Sequence, residues 1–283
     1  MAQHLDEPPD GLYQYDRTVN KRIPRLDAVT EEDLGFFQEF GYLVIDSFLS
    51  QDDIDAINDG MLTLLGDVTS LEPSLPDDVV QFESDIADQM DDSADVPPER
   101  LLHGVRKFWQ FSDYSEPMRA PAKKGDLLDL LATLVDGKPA LFQDMALIKP
   151  PGGREKPWHQ DQAYFTVELD APVVGVWIAL DVATADNGCM HIIPGSHRDG
   201  PVVHFDRRDW QICDTDVQVD RDVMVPLEPG GVLLFDGLLH HGTPPNRSNR
   251  LRRALQFHYT AGDARWLDER DGAFGSSHPD VEC

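Results

Sequence analysis

From residue 140 onward the chain keeps returning to one pattern. Short apolar or alternating runs, "ALFQDMALIKP", "PVVGVWIALDV", "CMHIIPGSH", "VMVPLEPGGVLLFDG" and "LRRALQFHYT", are punctuated by Gly, Pro and Asn. Runs this short suit strands, and the punctuation suits tight turns. Before residue 140 the character differs. "TEEDLGFFQEFG" reads as a helix with Thr30 as N-cap, Glu32 and Asp33 in its first turn and Gly41 as its stop. "YLVIDSFL" reads as a strand, "SQDDIDAINDGMLTLLG" as a helix capped by Ser50, and "GDLLDLLATLVDG" as a short amphipathic helix ending at Gly137. Helices followed by many short strands predict a mainly β fold with flanking α, a sandwich or barrel carrying N-terminal helices.

The 283 residues are enough for one large domain. The simplest division is an extended polar arm over 1–28 and a single domain over 29–283, with its β core at about 140–262. Residues 66–100, acidic and Pro-bearing with little apolar period, are expected to form a mobile surface segment or lid.

Composition narrows the function. Lys and Arg total 24 against 52 Asp and Glu, a net charge of −28. Such a surface repels nucleic acid and anionic membranes, so neither is an expected partner. Dispersed acid of this kind keeps a protein hydrated in high salt, and it fits an ordinary acidic cytoplasmic enzyme equally well. No apolar run approaches twenty residues, and the N-terminus "MAQHLDEPPD" lacks an apolar signal core, so a soluble cytoplasmic protein is expected. Cys189, Cys213 and Cys283 show no C-x-x-C spacing and are expected to be unpaired reduced thiols. Nothing in the sequence fixes the oligomeric state.

Five of the ten histidines are followed two places later by aspartate: His4/Asp6, His159/Asp161, His197/Asp199, His204/Asp206 and His278/Asp280. The spacing alone therefore says little. Residues i and i+2 of a strand share a face, so a strand-borne His-x-Asp aims an imidazole and a carboxylate into one cavity. One more histidine completes a two-His-one-carboxylate set, which suits non-heme Fe(II) with open positions. His4 and His278 lie near the chain ends, His197 sits in the turn-like "IPGSHRDG", and His204 lies between turn-rich and charged segments. His159 and Asp161 follow a strand and adjoin Tyr164 and Phe165, and they are preferred. The third ligand should come late, from His240 or His241 in "GLLHHGTPPNRSNRLRRALQFHYT"; the small "HGT" continuation favours His241. Eleven residues further, Arg252 offers a guanidinium able to clamp a carboxylate. In "LRRALQFHY", alternation puts Arg252, Ala254, Gln256 and His258 on one face and Leu255, Phe257 and Tyr259 on the other, with Arg253 turned away from Arg252. Trp177 likewise shares a face with the small Gly175 and Ala179.

"FFQEFGYLVIDSFLS", "KPP" followed by "HQDQAYF", "VWIALDVATADNGCMHIIPGSH" and "PGGVLLFDGLLHHGTPPNRSNRLRRAL" together resemble the phytanoyl-CoA dioxygenase family of Fe(II)/2-oxoglutarate oxygenases. The resemblance covers roughly 34–60 and 140–260 and implies a double-stranded β-helix, a jelly-roll or cupin-like barrel. It implies His159, Asp161 and His241 as iron ligands, and Arg252, Thr243, Trp177, Met145 and Lys107 as 2-oxoglutarate contacts. It also implies Fe(II), 2-oxoglutarate and O2 as cofactors and co-substrates, and hydroxylation of a small molecule with release of succinate and CO2. Halogenating relatives carry a small residue in place of this carboxylate, so Asp161 points to hydroxylation or a related oxidation. Tyr164, Phe165 and Gln143 are candidates for a substrate wall. Plainer readings stand beside these: Trp177 and Met145 as core, Lys107 as a surface lysine, and His191, His197, His204 and His258 as structural or exposed. Two other functions compete, a cupin-like isomerase or hydrolase and a non-catalytic jelly-roll binding protein. The acidic chain weakly favours a neutral, cationic or small substrate, against which stands the local group Arg247, Arg250, Arg252 and Arg253.

Overall fold

The computed structural model describes residues 7–70, 74–82, 97–275 and 283. In chain order its strands are β1 (Ile23–Arg25), β2 (Tyr42–Ser47), β3 (Val80–Phe82), β4 (Val105–Trp109), β5 (Pro139–Lys149), β6 (Lys156–His159) and β7 (Val173–Ala179). They continue as β8 (Met190–Ile192), β9 (His204–Asp206), β10 (Trp210–Ile212), β11 (Val223–Val225), β12 (Val232–Asp236), β13 (His241–Thr243) and β14 (Arg252–Ala261). Among the described residues three helices run to ten residues or more: α1 (Glu31–Phe40), α2 (Gln51–Val68) and α3 (Gly125–Leu134).

The helix boundaries follow from capping. Thr30 accepts from the Asp33 amide while Asp33 reaches back to the Thr30 amide, and Ser50 and Asp53 do the same for α2. Helix α1 stops at Gly41, whose φ of 78° suits glycine. A Cβ at that position would also strike the His197 ring at 2.5 Å.

Eight strands form one sheet in the order β1-β2-β12-β7-β14-β5-β4-β3, and four form a second in the order β11-β8-β13-β6. One face of the large sheet carries Leu43, Ile45, Val176, Ile178, Leu255, Phe257 and Tyr259 against Ile57, Met61 and Leu65 of α2 and Leu127 and Leu131 of α3. Its other face carries Val44, Trp177, Leu233 and Phe235 against Met190, Ile192 and Val225 of the small sheet. This is the mainly β jelly roll with flanking helices that the sequence predicts. The two sheets remain separate facing layers rather than one closed barrel.

Several expectations change. Residues 71–73 and 83–96 of the expected acidic lid, and the pairs His4/Asp6 and His278/Asp280, lie outside the described residues. Within the described part, Val80–Phe82 is not loop: it pairs antiparallel with β4 at the edge of the large sheet. The polar arm contributes β1, parallel to β2, and seats Leu12 and Tyr13 against Trp158. Cys213 and Cys283 form a disulfide, so the expectation of three reduced thiols is wrong; only Cys189 is free among the described residues. A bond between cysteines 70 positions apart leaves no local spacing signal.

Candidate metal and co-substrate site

Strand β13 pairs with β6 so that His241 lies directly opposite His159, with ring centroids 4.1 Å apart. The carboxylate arrives differently from the expected same-strand pair. Strand β6 ends at His159, and Asp161 opens a single 3-10 turn, Asp161–Tyr164, that swings its side chain back between the imidazoles. Asp161 Oδ1 lies 3.2 Å from His159 Nε2 and 3.5 Å from His241 Nε2. The three ligand atoms all fall within 4.8 Å of one another.

The local backbone fixes which nitrogen each imidazole presents. His159 Nδ1 donates to the Pro157 carbonyl at 2.7 Å, and His241 Nδ1 donates to the Leu239 carbonyl at 2.9 Å. Both Nε2 lone pairs are therefore turned to the shared centre. Burial, and then the neighbouring His241, push His159 down to about 4, which favours its neutral ligand form. Burial alone would raise the Asp161 carboxyl, but His241 and His258 beside it hold it well below the usual range. Two imidazoles that present Nε2 and one carboxylate match the donor set of a non-heme iron site with open positions. The phenyl ring of Phe235 backs His241 at 4.7 Å and occupies the space left by Gly175, where a Cβ would strike it at 2.4 Å.

A second cluster lies at the start of β14. Arg252 is 2% exposed, and its guanidinium sits over the Trp177 ring at 5.3 Å. Its Nε and Nη1 and the Trp177 Nε1 are buried with no hydrogen-bond partner. Burial lowers the guanidinium to about 10. Lys149, paired in register with Arg252, spends its ammonium on Thr243 Oγ1 at 2.8 Å and on the carbonyls of Thr243 at 3.1 Å and Pro244 at 2.6 Å. Burial, with Arg252 alongside, holds this lysine well below its ordinary range. Among the described residues neither cation has an ion-pair partner. A buried guanidinium with orphaned donors, next to a second buried cation, fits an incoming carboxylate, since leaving it uncompensated is costly.

One cavity of about 380 Å3 joins the two clusters. Its lining includes His159, Asp161, His241, Arg252, Thr243, Trp177, Met145, Lys107, Gln143, Tyr164 and Phe165, so every site residue named from the sequence is brought to one place. The Tyr164 hydroxyl donates to the Trp210 carbonyl and accepts from Lys156, and its ring meets His159 edge-on at 5.6 Å. Lys107 lies over the Trp109 ring at 4.4 Å. Arg253 turns away as expected, bonding Asp181 and Asn58, and Arg250 pairs with Asp186, so of the four clustered arginines only Arg252 enters the cavity. His240 is buried with both ring nitrogens unpartnered and lies outside the ligand set.

Sequence reasoning missed three residues. His258, read as structural or exposed, donates to Asp161 at 2.7 Å, and Gln256 donates to the same oxygen at 3.0 Å. Alternation already placed both on the face of Arg252. Lys149 gave no signal until strand pairing set it beside Arg252.

The phytanoyl-CoA dioxygenase (PhyH) family model matches residues 37–254, well over half of the chain. "Phytanoyl-CoA dioxygenase domain-containing protein 1" of Danio rerio is 26% identical, the match covering 82% of this chain and 90% of that protein. "Phytanoyl-CoA dioxygenase" of Arabidopsis thaliana is 28% identical, over 86% of this chain and 93% of that protein. Among solved structures, EctD from S. alaskensis with 2-oxoglutarate and 5-hydroxyectoine shares the fold at TM-score 0.65 and 21% identity, covering 96% of this chain and 92% of that one. With the fold, the His–Asp–His centre and the family match in agreement, the chain belongs to the phytanoyl-CoA dioxygenase family.

Proposed function

We propose that the protein is an Fe(II)/2-oxoglutarate-dependent dioxygenase that hydroxylates a small molecule, giving succinate and CO2. The observation that carries this reading is the pairing of a buried, pre-oriented His159–Asp161–His241 centre with an unneutralised Arg252 in the same cavity. A cupin-like isomerase or hydrolase needs only the first of these.

His159, Asp161 and His241 would bind iron through Nε2, Oδ1 and Nε2. Bound iron supplies dioxygen activation, with 2-oxoglutarate providing the electrons that the substrate does not. Arg252 would offer its two orphaned N–H groups to the far carboxylate of 2-oxoglutarate. Thr243 assists because Lys149 already donates to its Oγ1, which frees the hydroxyl proton for that carboxylate. Trp177 closes the floor beneath the guanidinium. Met145 and Lys107 complete the co-substrate side, while Gln143, Tyr164 and Phe165 form the substrate wall. Overall, one oxygen atom enters the substrate C–H bond and the other enters succinate. Anaerobic loading with Fe(II) and 2-oxoglutarate, then oxygen and a metabolite panel, should give succinate in step with hydroxylated product. No uptake of 2-oxoglutarate would rule the reading out.

The lining also bears on the substrate. Six of the chain's 24 Lys and Arg residues, Arg106, Lys107, Lys149, Arg154, Lys156 and Arg252, line this cavity, against Glu155 and Asp161 of its 52 acids. Arg106 and Lys156 share Asp209 at 3.6 and 2.8 Å, which offsets part of this charge. Charges beyond about 8 Å are largely screened at physiological salt, however, so the cations of the lining weigh more than the distant acidic exterior. The lining favours a substrate bearing a carboxylate or phosphate, whereas net charge favoured a neutral, cationic or small one. In the panel, coupled succinate release should follow acid-bearing compounds; turnover confined to cationic ones would contradict it.

A further inference from the structure

The two oxygens of Asp161 have different surroundings. Oδ1 faces the Nε2 atoms of His159 and His241. Oδ2 accepts from His258 Nε2 at 2.7 Å and from Gln256 Nε2 at 3.0 Å. The two donors stand two residues apart on one face of β14, 3.1 Å from each other, and converge on that single oxygen. Neither can easily retreat. Gln256 is 4% exposed, and the His258 ring is held between Phe165 at 4.9 Å and Phe142 at 6.0 Å.

We propose that Gln256 and His258 are positioning residues that restrict Asp161 to one-oxygen ligation and so keep a third metal position open. The physical reason is a competition for Oδ2. A carboxylate free to turn can engage a cation with both oxygens, as metal-binding carboxylates do in either mode. Here the second oxygen already receives two hydrogen bonds, which a two-oxygen grip would have to give up. Held by two imidazoles and one carboxylate oxygen, a bound iron would keep three further positions, enough for a 2-oxo acid and a small ligand. A second carboxylate oxygen would take the last of these. This inference rests on the oxygenase reading above.

The test separates binding of metal, 2-oxo acid and a diatomic gas. The variants are His258→Phe, which preserves the aromatic packing but removes the donor, Gln256→Leu, and the pair together. Iron affinity is read by chelator competition, 2-oxoglutarate affinity by anaerobic spectroscopic titration, and the third position by nitric oxide as the oxygen surrogate, followed by electron paramagnetic resonance. The double variant should keep iron and 2-oxoglutarate binding while its nitric oxide affinity falls by at least about 10-fold. His258→Gln, which restores a donor, should recover part of that loss. Unchanged nitric oxide affinity would overturn the proposal, as would a parallel fall in all three affinities, which would mark a merely structural role. Wild-type protein that binds neither iron nor 2-oxoglutarate would instead overturn the oxygenase reading, and the positioning role with it.

Discussion

The two faces of β14 are built for opposite purposes. On one, Leu255, Phe257 and Tyr259 are at most 1% exposed and pack into the helix-covered core. On the other, Arg252 and Gln256 are buried almost as deeply but line a cavity, and His258 is buried behind it against Asp161. Burying apolar area stabilises the fold, whereas burying a guanidinium with two orphaned donors opposes it. The strand therefore holds a reactive constellation in place because its back face is firmly anchored. Stability and function occupy alternate residues of the same ten-residue segment.

That contrast can be broken at its polar end first. Asp161→Ala should abolish turnover and release iron, as read by metal analysis and succinate assay, and should lower the melt modestly because His258 and Gln256 lose their buried acceptor. Next in size is the apolar face. Phe257→Ala should cost about 3–5 kcal/mol in denaturant unfolding, yet leave the KM for 2-oxoglutarate unchanged. Arg252→Met should do the reverse. Its KM for 2-oxoglutarate should rise by roughly 150-fold, corresponding to about 3 kcal/mol. The apo protein should melt no lower than wild type, because an uncompensated buried cation has been removed.

The smallest effect concerns acid. Burial, chiefly, holds the His204 imidazole at about 3, while its Nδ1 donates to the Val202 carbonyl and its Nε2 accepts from the Gln160 amide. The unfolded side chain titrates near 6.5. Between these values the unfolded chain takes up a proton that the folded one refuses. The stability is fully present above 6.5 and declines as pH falls, by about 2 kcal/mol at pH 5. Melting curves of His204→Gln between pH 7 and 5 should show a correspondingly shallower decline.

Much of this site was legible in the sequence because its parts obey strand periodicity. Arg252 and Arg253 separated correctly by alternation alone, and their neighbours confirm it: Trp177 beneath one, Asp181 and Asn58 beside the other. The illegible parts depend on which strands pair. Lys149 meets Arg252 only through the β5–β14 register, and His258 reaches Asp161 only because the turn after β6 folds back toward β14. A histidine on the cavity face of a strand already assigned to a metal site deserves a positioning role before a structural one. The disulfide and the β3 edge strand follow from tertiary proximity, which short-range pattern does not encode.

Anomalous diffraction at the iron edge, from crystals grown anaerobically with Fe(II) and 2-oxoglutarate, tests the central claim most directly. The account predicts a single peak bonded to His159 Nε2, one oxygen of Asp161 and His241 Nε2, with the far carboxylate of 2-oxoglutarate on Arg252. A peak held by other residues, or 2-oxoglutarate placed away from Arg252, would contradict it.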